Sequence, residues 1–433
     1  MCWMKPLKEL LNKQRQINKI GIVPDVVTTP LPWRLGVRQA STGGADYASS
    51  GSTPFTTHAN KSGFAIDSDP YGPPPSYDKA QAGIGSKWAP KNWTKKTMIA
   101  VAIGVCVLIA VIIIAAVLGS RAASGSYPDY SPLNYTLKDT YHGTDFFDNF
   151  NYFTGYDPTS GFVHYVPNTT AQQYNLTYAG EDSAVLRVDY NSGTDSSTGR
   201  FSVRVTSKQT YDEGLFIFDV LHSPYGCSTW PALWLSDPSN WPENGEIDVM
   251  ESVNQGNTGN QMTLHTSKHC KMDVKRKETG DVLDKNCYAK AGDQQGCGVQ
   301  GSKQSFGEAF NDIGGGVYAM EWRNEGIRVW FFPRGSVPSD IPTDVSNTSA
   351  PDPSTWGEAT ADFPGTNCDI SSHFRNQSII ANIDLCGSWA GQTSVYSDEW
   401  GCPGQCTDFV ANNASAYEKA YWEFSSFRVY QAN

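Results

Sequence analysis

Trp230-Pro231-Ala232-Leu233-Trp234, followed after a polar loop by Gly245-Glu246-Ile247-Asp248-Val249-Met250-Glu251, is the stretch from which the fold can be read. Three carboxylates this close repel one another, so folding alone gives no reason for them. A site that protonates one atom of a bond and attacks the other does give one. It needs neighbouring carboxyl groups held in different protonation states. Ile247, Val249 and Met250 interleaved with the acids indicate a strand, whose side chains alternate between faces, so Glu246 and Asp248 share a face. Strict alternation sends Glu251 to the other side. A one-residue bulge restores the phase, and the unbranched, pliable Met250 is the expected place for it. All three acids then line one face. A solvated acidic strand edge is the competing explanation, but such edges favour lysine and seldom follow a tryptophan-rich loop.

Outward from this stretch, Val185-Leu186-Arg187-Val188, Phe201-Ser202-Val203-Arg204-Val205, Leu215-Phe216-Ile217-Phe218 and Val317-Tyr318-Ala319-Met320-Glu321-Trp322 are of strand length and rich in β-formers. Asn324-Glu325-Gly326 joins the last of these to Ile327-Arg328-Val329-Trp330-Phe331-Phe332 as a hairpin. No long helical period follows Gly119, so the region is expected to be all-β, an antiparallel β-sandwich. It also holds Cys227, Cys270, Cys287, Cys297, Cys368, Cys386, Cys402 and Cys406, an even set suited to four disulfides in an oxidising compartment. Their pairing is open, since eight cysteines allow about 105 connectivities. Zinc ligation by Cys402, Cys406, Cys270 and His269 is set aside because thiols in such a compartment are oxidised more often than ligated. No metal and no other cofactor is expected.

Glu246-Ile247-Asp248-Val249-Met250-Glu251 also resembles the signature of glycoside hydrolase family 16. It matches the bulged, laminarinase-type form, not the unbulged form of lichenases and xyloglucan transglycosylases. The likeness runs from about Phe146 to Tyr430, through Thr154-Gly155-Tyr156-Asp157-Pro158-Thr159, the Trp230 to Trp234 segment and Tyr421-Trp422-Glu423-Phe424. In detail it is nearest to fungal endo-1,3(4)-β-glucanases. The resemblance implies a concanavalin A-like jelly-roll β-sandwich with a substrate cleft across its concave sheet. By position it makes Glu246 the nucleophile and Glu251 the general acid that later acts as base. Asp248 would hydrogen-bond Glu246 and keep the protons unevenly shared. Carboxyl groups about 5 to 5.5 Å apart are the arrangement of a retaining glycosidase. Carboxyls with ordinary pKa values near 4.3 cannot fill both roles near neutral pH, so repulsion is expected to raise the acid's value. The same likeness implies that Trp234, Trp241 and Trp389 lie against the sugar and that His265 lies close to the acid/base. Arg204 and Asn382 are secondary candidates for sugar hydroxyls, while Trp230, Trp322 and Trp330 are assigned to the core.

The chain has 433 residues and a formal net charge of -11. Residues 1–96 carry 13 Lys and Arg against 6 Asp and Glu, so the remainder is strongly acidic and expected to repel nucleic acid. Residues 1–96 are expected to be a mostly disordered cytoplasmic tail. Within it, Pro74, Pro75 and Tyr77 form the Pro-Pro-x-Tyr pattern that WW domains read, which makes such a domain an expected partner. Met98 to Leu118 is an unbroken apolar run. At about 1.5 Å per residue it spans the roughly 30 Å of bilayer hydrocarbon. We divide the chain into a tail over 1–96, a transmembrane signal anchor over 97–119, a stalk over 120–140 and a catalytic domain over 141–433, expected to be monomeric.

Lys87, Lys91, Lys95 and Lys96 precede the span and only Arg121 follows closely, so the positive-inside bias exports everything after it. The expected topology is single-pass type II in the plasma membrane or a secretory-pathway membrane, with the catalytic domain extracellular or lumenal. Asn134, Asn168, Asn175, Asn347, Asn376 and Asn413 begin glycosylation sequons on that side; Asn60 and Asn92 match on the cytoplasmic side and should stay bare. The expected function is hydrolysis of internal β-1,3 or mixed 1,3/1,4 glucosidic bonds of a β-glucan at the cell surface. β-Glucan transglycosylation is the competing enzymatic reading, disfavoured by the bulged spacing. A non-catalytic glucan-binding wall-assembly factor is the third, disfavoured by the three intact acids.

Overall fold

The computed structural model describes residues 93–124, 126–289 and 295–433. The Pro-Pro-x-Tyr motif and nearly all of the tail lie outside the described residues. Lys95–Ser124 is one helix, longer at both ends than the span read over 97–119. Its Lys95–Ala116 portion is long and apolar enough to cross a membrane, and none of it is covered by protein. After it, the described helices are short and strands dominate.

Most of the described strands form two antiparallel sheets packed face to face, and Val163–Tyr165 with Arg200–Ser202 makes a separate parallel pair. The front sheet runs in the order Asp281–Val282, Cys297–Gln300, Gln261–His265, Glu246–Glu251, Thr229–Ser236, Ser378–Leu385, Arg204–Ser207, Phe150–Tyr152. The back sheet runs Ala361–Pro364, Gly326–Pro333, Gly316–Arg323, Gly214–His222, Tyr421–Ala432, Ala184–Arg187, Thr177–Ala179, with Tyr135–Tyr141 also paired to Tyr421–Ala432. Between the sheets lies one core. Leu233, Leu235, Ile247, Met262, Ile379 and Ile383 meet Phe216, Phe218, Met320, Trp322, Phe424 and Phe427 there. Period-two alternation assigns these faces: Phe216 and Phe218 point inward, while Leu215 and Ile217 join Val317, Ala319, Trp330 and Tyr430 in a second cluster on the outer side of the back sheet. Trp322 and Trp330 are buried, as their assignment to the core required.

The hairpin at Asn324-Glu325 forms as read, with Arg323 opposite Gly326. Elsewhere the structure departs from the sequence reading. Phe201 to Val205 is not one strand. Arg200–Ser202 pairs with Val163–Tyr165, and Arg204–Ser207 joins the front sheet. The stalk read over 120–140 belongs in its later part to the folded domain. Tyr135 donates to the buried Glu321 at 2.9 Å, Arg323 donates to the Ser131 carbonyl at 2.9 Å, and the Arg328 guanidinium lies 4.1 Å from the Tyr130 ring centre. Aromatic residues here cover charges that would otherwise face water, and sequence composition alone does not show that. Eight cysteines form four disulfides, Cys227–Cys402, Cys270–Cys368, Cys287–Cys297 and Cys386–Cys406. Cys402 and Cys406 thus belong to different bridges.

Candidate active site

The acids sit on Glu246–Glu251 at the middle of the front sheet. Gly245 immediately precedes the strand with φ 75°, and a Cβ there would stand 2.5 Å from the His373 carbonyl, so only glycine fits. Opposite Thr229–Ser236, Asp248 faces Trp234 and Met250 faces Leu233, which leaves Val249 as the extra residue. The bulge therefore falls at Val249, one residue before the expected Met250. Val249 and Met250 are both fully buried in the core. Burying each contributes about 1.5–3 kcal/mol, more than the roughly 1 kcal/mol net of an interrupted ladder hydrogen bond. With two successive side chains turned inward, Glu251 returns to the face of Glu246 and Asp248.

A residue missed by sequence reasoning completes the bulge. Asn260, fully buried, accepts from the Glu251 backbone N–H at 2.8 Å and donates to the Val249 carbonyl at 2.8 Å. Its side-chain amide replaces the lost ladder bonds. No local pattern in the sequence marks it.

Side chains on the front face fall into rows across the strands. One row holds Ser378, Ser236, Glu246 and His265; a second holds Ile380, Trp234, Asp248 and Thr263; a third holds Arg204, Asn382, Ala232 and Glu251. His265 Nε2 lies 3.2 Å from Asp248 and 3.8 Å from Glu246. It thus stands nearer those two acids than the expected neighbour, Glu251. The half-buried Trp234 donates to Asn382 Oδ1 at 2.8 Å, and the Arg204 guanidinium lies 4.9 Å from its ring centre. Arg204 and Asn382 are themselves buried, so they brace the floor of the face. Trp241 is half-buried in the turn before the acidic strand, and its indole N–H has no partner among the described residues. Trp389 stands edge-on to Trp230, with ring centres 5.7 Å apart.

Trp230 is not a core residue. It is half-buried, and its indole N–H donates to Glu251 Oε1 at 2.7 Å. Its position two and four residues before Ala232 and Trp234 puts it on their face by alternation. That was the available signal.

All three carboxyls are pushed up to about 8. For Glu246, burial is the main cause and Asp248 adds to it, while His265 and Arg204 pull the other way. For Asp248 the cause is burial. For Glu251 it is burial and then Asp248, opposed by the Trp230 hydrogen bond and by His265. The face therefore holds acids that retain protons near neutral pH, with His265 opposing the shift at both glutamates, Arg204 at Glu246 and the Trp230 indole at Glu251.

Residues 150–430 match the family described as the XgeA-like, catalytic GH16 domain. The chain belongs to glycoside hydrolase family 16 and is of the endo-1,3(4)-β-glucanase type. A probable glycosidase of Schizosaccharomyces pombe is 46% identical over 315 residues, covering 72% of each chain. An endo-1,3(4)-beta-glucanase of Arthroderma benhamiae is 38% identical over 316 residues, covering 71% of this chain and 67% of its own. Among solved structures, laminarinase 16A of Phanerochaete chrysosporium, holding two β-glucans in its donor and acceptor sites, superposes with a TM-score of 0.65 at 45% identity. That match covers 69% of this chain and 99% of the laminarinase. An elongating family 16 β-1,3-glucosyltransferase superposes with a TM-score of 0.63 at 39% identity, covering 69% of this chain and 100% of its own.

Proposed function

We propose that the protein is a retaining endo-β-glucanase that hydrolyses internal β-1,3 or mixed 1,3/1,4 bonds at a cell surface. The observation that carries this reading is the bulge at Val249, which brings three carboxyls to one face, Asp248 buried and Glu246 and Glu251 half-buried. Glu246, whose upward shift Arg204 and His265 both oppose, acts as nucleophile. Glu251 keeps its proton and gives it to the leaving oxygen. Glu246 then holds the sugar covalently while the Glu251 carboxylate draws a proton from water, so the anomeric configuration is retained. Asp248, between them, limits ionisation of its neighbours. Trp234, Trp241 and Trp389 cover the flat C–H faces of the sugar, and His265 orients Asp248 and Glu246.

The apolar helix serves as a signal anchor in a type II topology, with the bridged domain on the oxidising side. All six exported sequons are exposed. At Asn376 the side-chain amide already donates to Asp237 at 2.9 Å, and at Asn413 to the Phe409 carbonyl at 3.0 Å, so glycan attachment at either competes with an existing hydrogen bond.

The test is incubation of the full-length chain in detergent micelles with laminarin and lichenan, following products by proton NMR. New reducing ends that appear first as the β-anomer support the proposal; α-anomers first, or no turnover, end it. Transglycosylation is the second reading, favoured by the likeness to the elongating glucosyltransferase. It is recognised by products longer than the added oligosaccharide.

A further inference from the structure

The Trp230 indole makes the one hydrogen bond to the Glu251 carboxyl found among the described residues, at 2.7 Å to Oε1. Two neighbours fix its ring. Trp389 meets it edge-on at 5.7 Å, and Gly387 lies beneath it, where a Cβ would stand 3.1 Å from indole carbons and 2.8 Å from Asp384 Oδ2. Ala232, directly opposite Glu251, is small enough to leave the indole room to reach across. A ring held on these sides offers one donor in one direction.

We propose that Trp230 is a positioning residue for the acid/base: its N–H holds Glu251 Oε1, so the catalytic proton resides on Oε2 and faces the glycosidic oxygen. This rests on the reading of Glu251 as general acid. In the first step the Oε2 proton passes to the leaving oxygen as its bond to the anomeric carbon breaks and the bond from Glu246 forms. The indole then stabilises the carboxylate left behind. In the second step that carboxylate takes the proton of the attacking water, and the bond to Glu246 breaks. A hydrogen bond to an ionised acceptor is about twice as strong as one to a neutral acceptor, so the indole assists proton departure as well as orientation. The other ionisable groups around Glu251 are Asp248 and Glu246 on its own strand, His265 on the next strand, and Asp384 on Ser378–Leu385, opposite Trp230. None of them is altered by removing the indole N–H.

Trp230→Phe in the full-length chain tests this. The expected result is a fall of about tenfold to hundredfold in kcat on laminarin with little change in KM, the scale of a hydrogen bond to a charged group. Without its donor the Glu251 carboxylate is less stable, so the alkaline limb of kcat/KM moves to higher pH. By contrast, kcat/KM on 2,4-dinitrophenyl β-laminaribioside, whose leaving group departs without protonation, stays nearly unchanged. Equal losses on both substrates with an unmoved limb overturn the proposal, as does a rise in KM alone. An isostere, β-(3-benzothienyl)alanine at position 230, keeps the shape and removes only the N–H, and it must give the same result even if the phenylalanine variant misfolds. Glu251→Gln run in parallel separates the two readings. Retained laminarin hydrolysis by that variant overturns the assignment of Glu251, whereas its loss beside a Trp230→Phe enzyme of ordinary rate and pH profile overturns only the role of Trp230.

Discussion

Two sites, one on each sheet, treat their acids in opposite ways. On the back sheet, Glu321 is 2% exposed and is matched by Arg328, by Arg323 at 3.8 Å and by the Tyr135 hydroxyl at 2.9 Å. On the front sheet, Glu246, Asp248 and Glu251 share one imidazole and the more distant Arg204, and all three are pushed up to about 8. Ionised acids with cations close by hold structure together. Acids left short of cations hold protons instead, and a proton held near neutral pH is what glycosidic cleavage consumes.

The comparison can be broken at several points. Glu246→Gln is expected to lower kcat on laminarin by on the order of 10⁴-fold or more, the scale of removing a covalent nucleophile, while substrate binding measured by calorimetry is retained. Ordinary activity in that variant would move the nucleophile elsewhere. At the back sheet, Glu321→Gln strands two guanidinium groups and should destabilise the domain by about 3–5 kcal/mol in chemical unfolding, with the chemistry on laminarin intact in the folded fraction. A loss below about 1 kcal/mol would mean that the pairing carries little. Asn260→Ala leaves two buried backbone groups at the bulge without partners, costing about 1–3 kcal/mol each. It should also lower kcat, because Glu251 is no longer held to the front face.

The smallest effect has the most informative sign. A carboxyl whose folded pKa lies above its unfolded value is neutral in both states below about pH 4, so it costs nothing there. As pH rises the unfolded chain ionises first, and stability drains away until the folded pKa is reached. For Asp248 that window runs from about 4 up to about 8. Asp248→Asn should therefore raise Tm at pH 8 by about 2–4 °C for each kcal/mol released, and leave it unchanged near pH 4. Opposite signs at Asp248 and Glu321 in the same thermal-melting series would sharpen the contrast between the sheets; equal signs would erase it.

Much of this was legible in the chain. Apolar alternation gave short antiparallel strands. Acid spacing incompatible with that alternation required a bulge, and the even cysteine set required bridges. Trp230 was legible in principle, since it shares parity with Ala232 and Trp234, but a tryptophan opening an apolar segment reads as core. The position of the bulge was missed by one residue because both Val249 and Met250 fit an inward pocket, and the choice depends on which backbone group the partner strand can still reach.

By itself, then, the sequence determined what repeats locally: the two-residue period, the excess of acids and the apolar run long enough for a bilayer. Tertiary structure alone decided the cysteine partners, the Asn260 clamp, the docking of Tyr130 and Tyr135 on the back sheet, and the hydrogen bond from Trp230 to Glu251. Each of these joins segments distant along the chain or placed across a strand. Only packing brings such groups within the 3 Å or so at which a hydrogen bond acts.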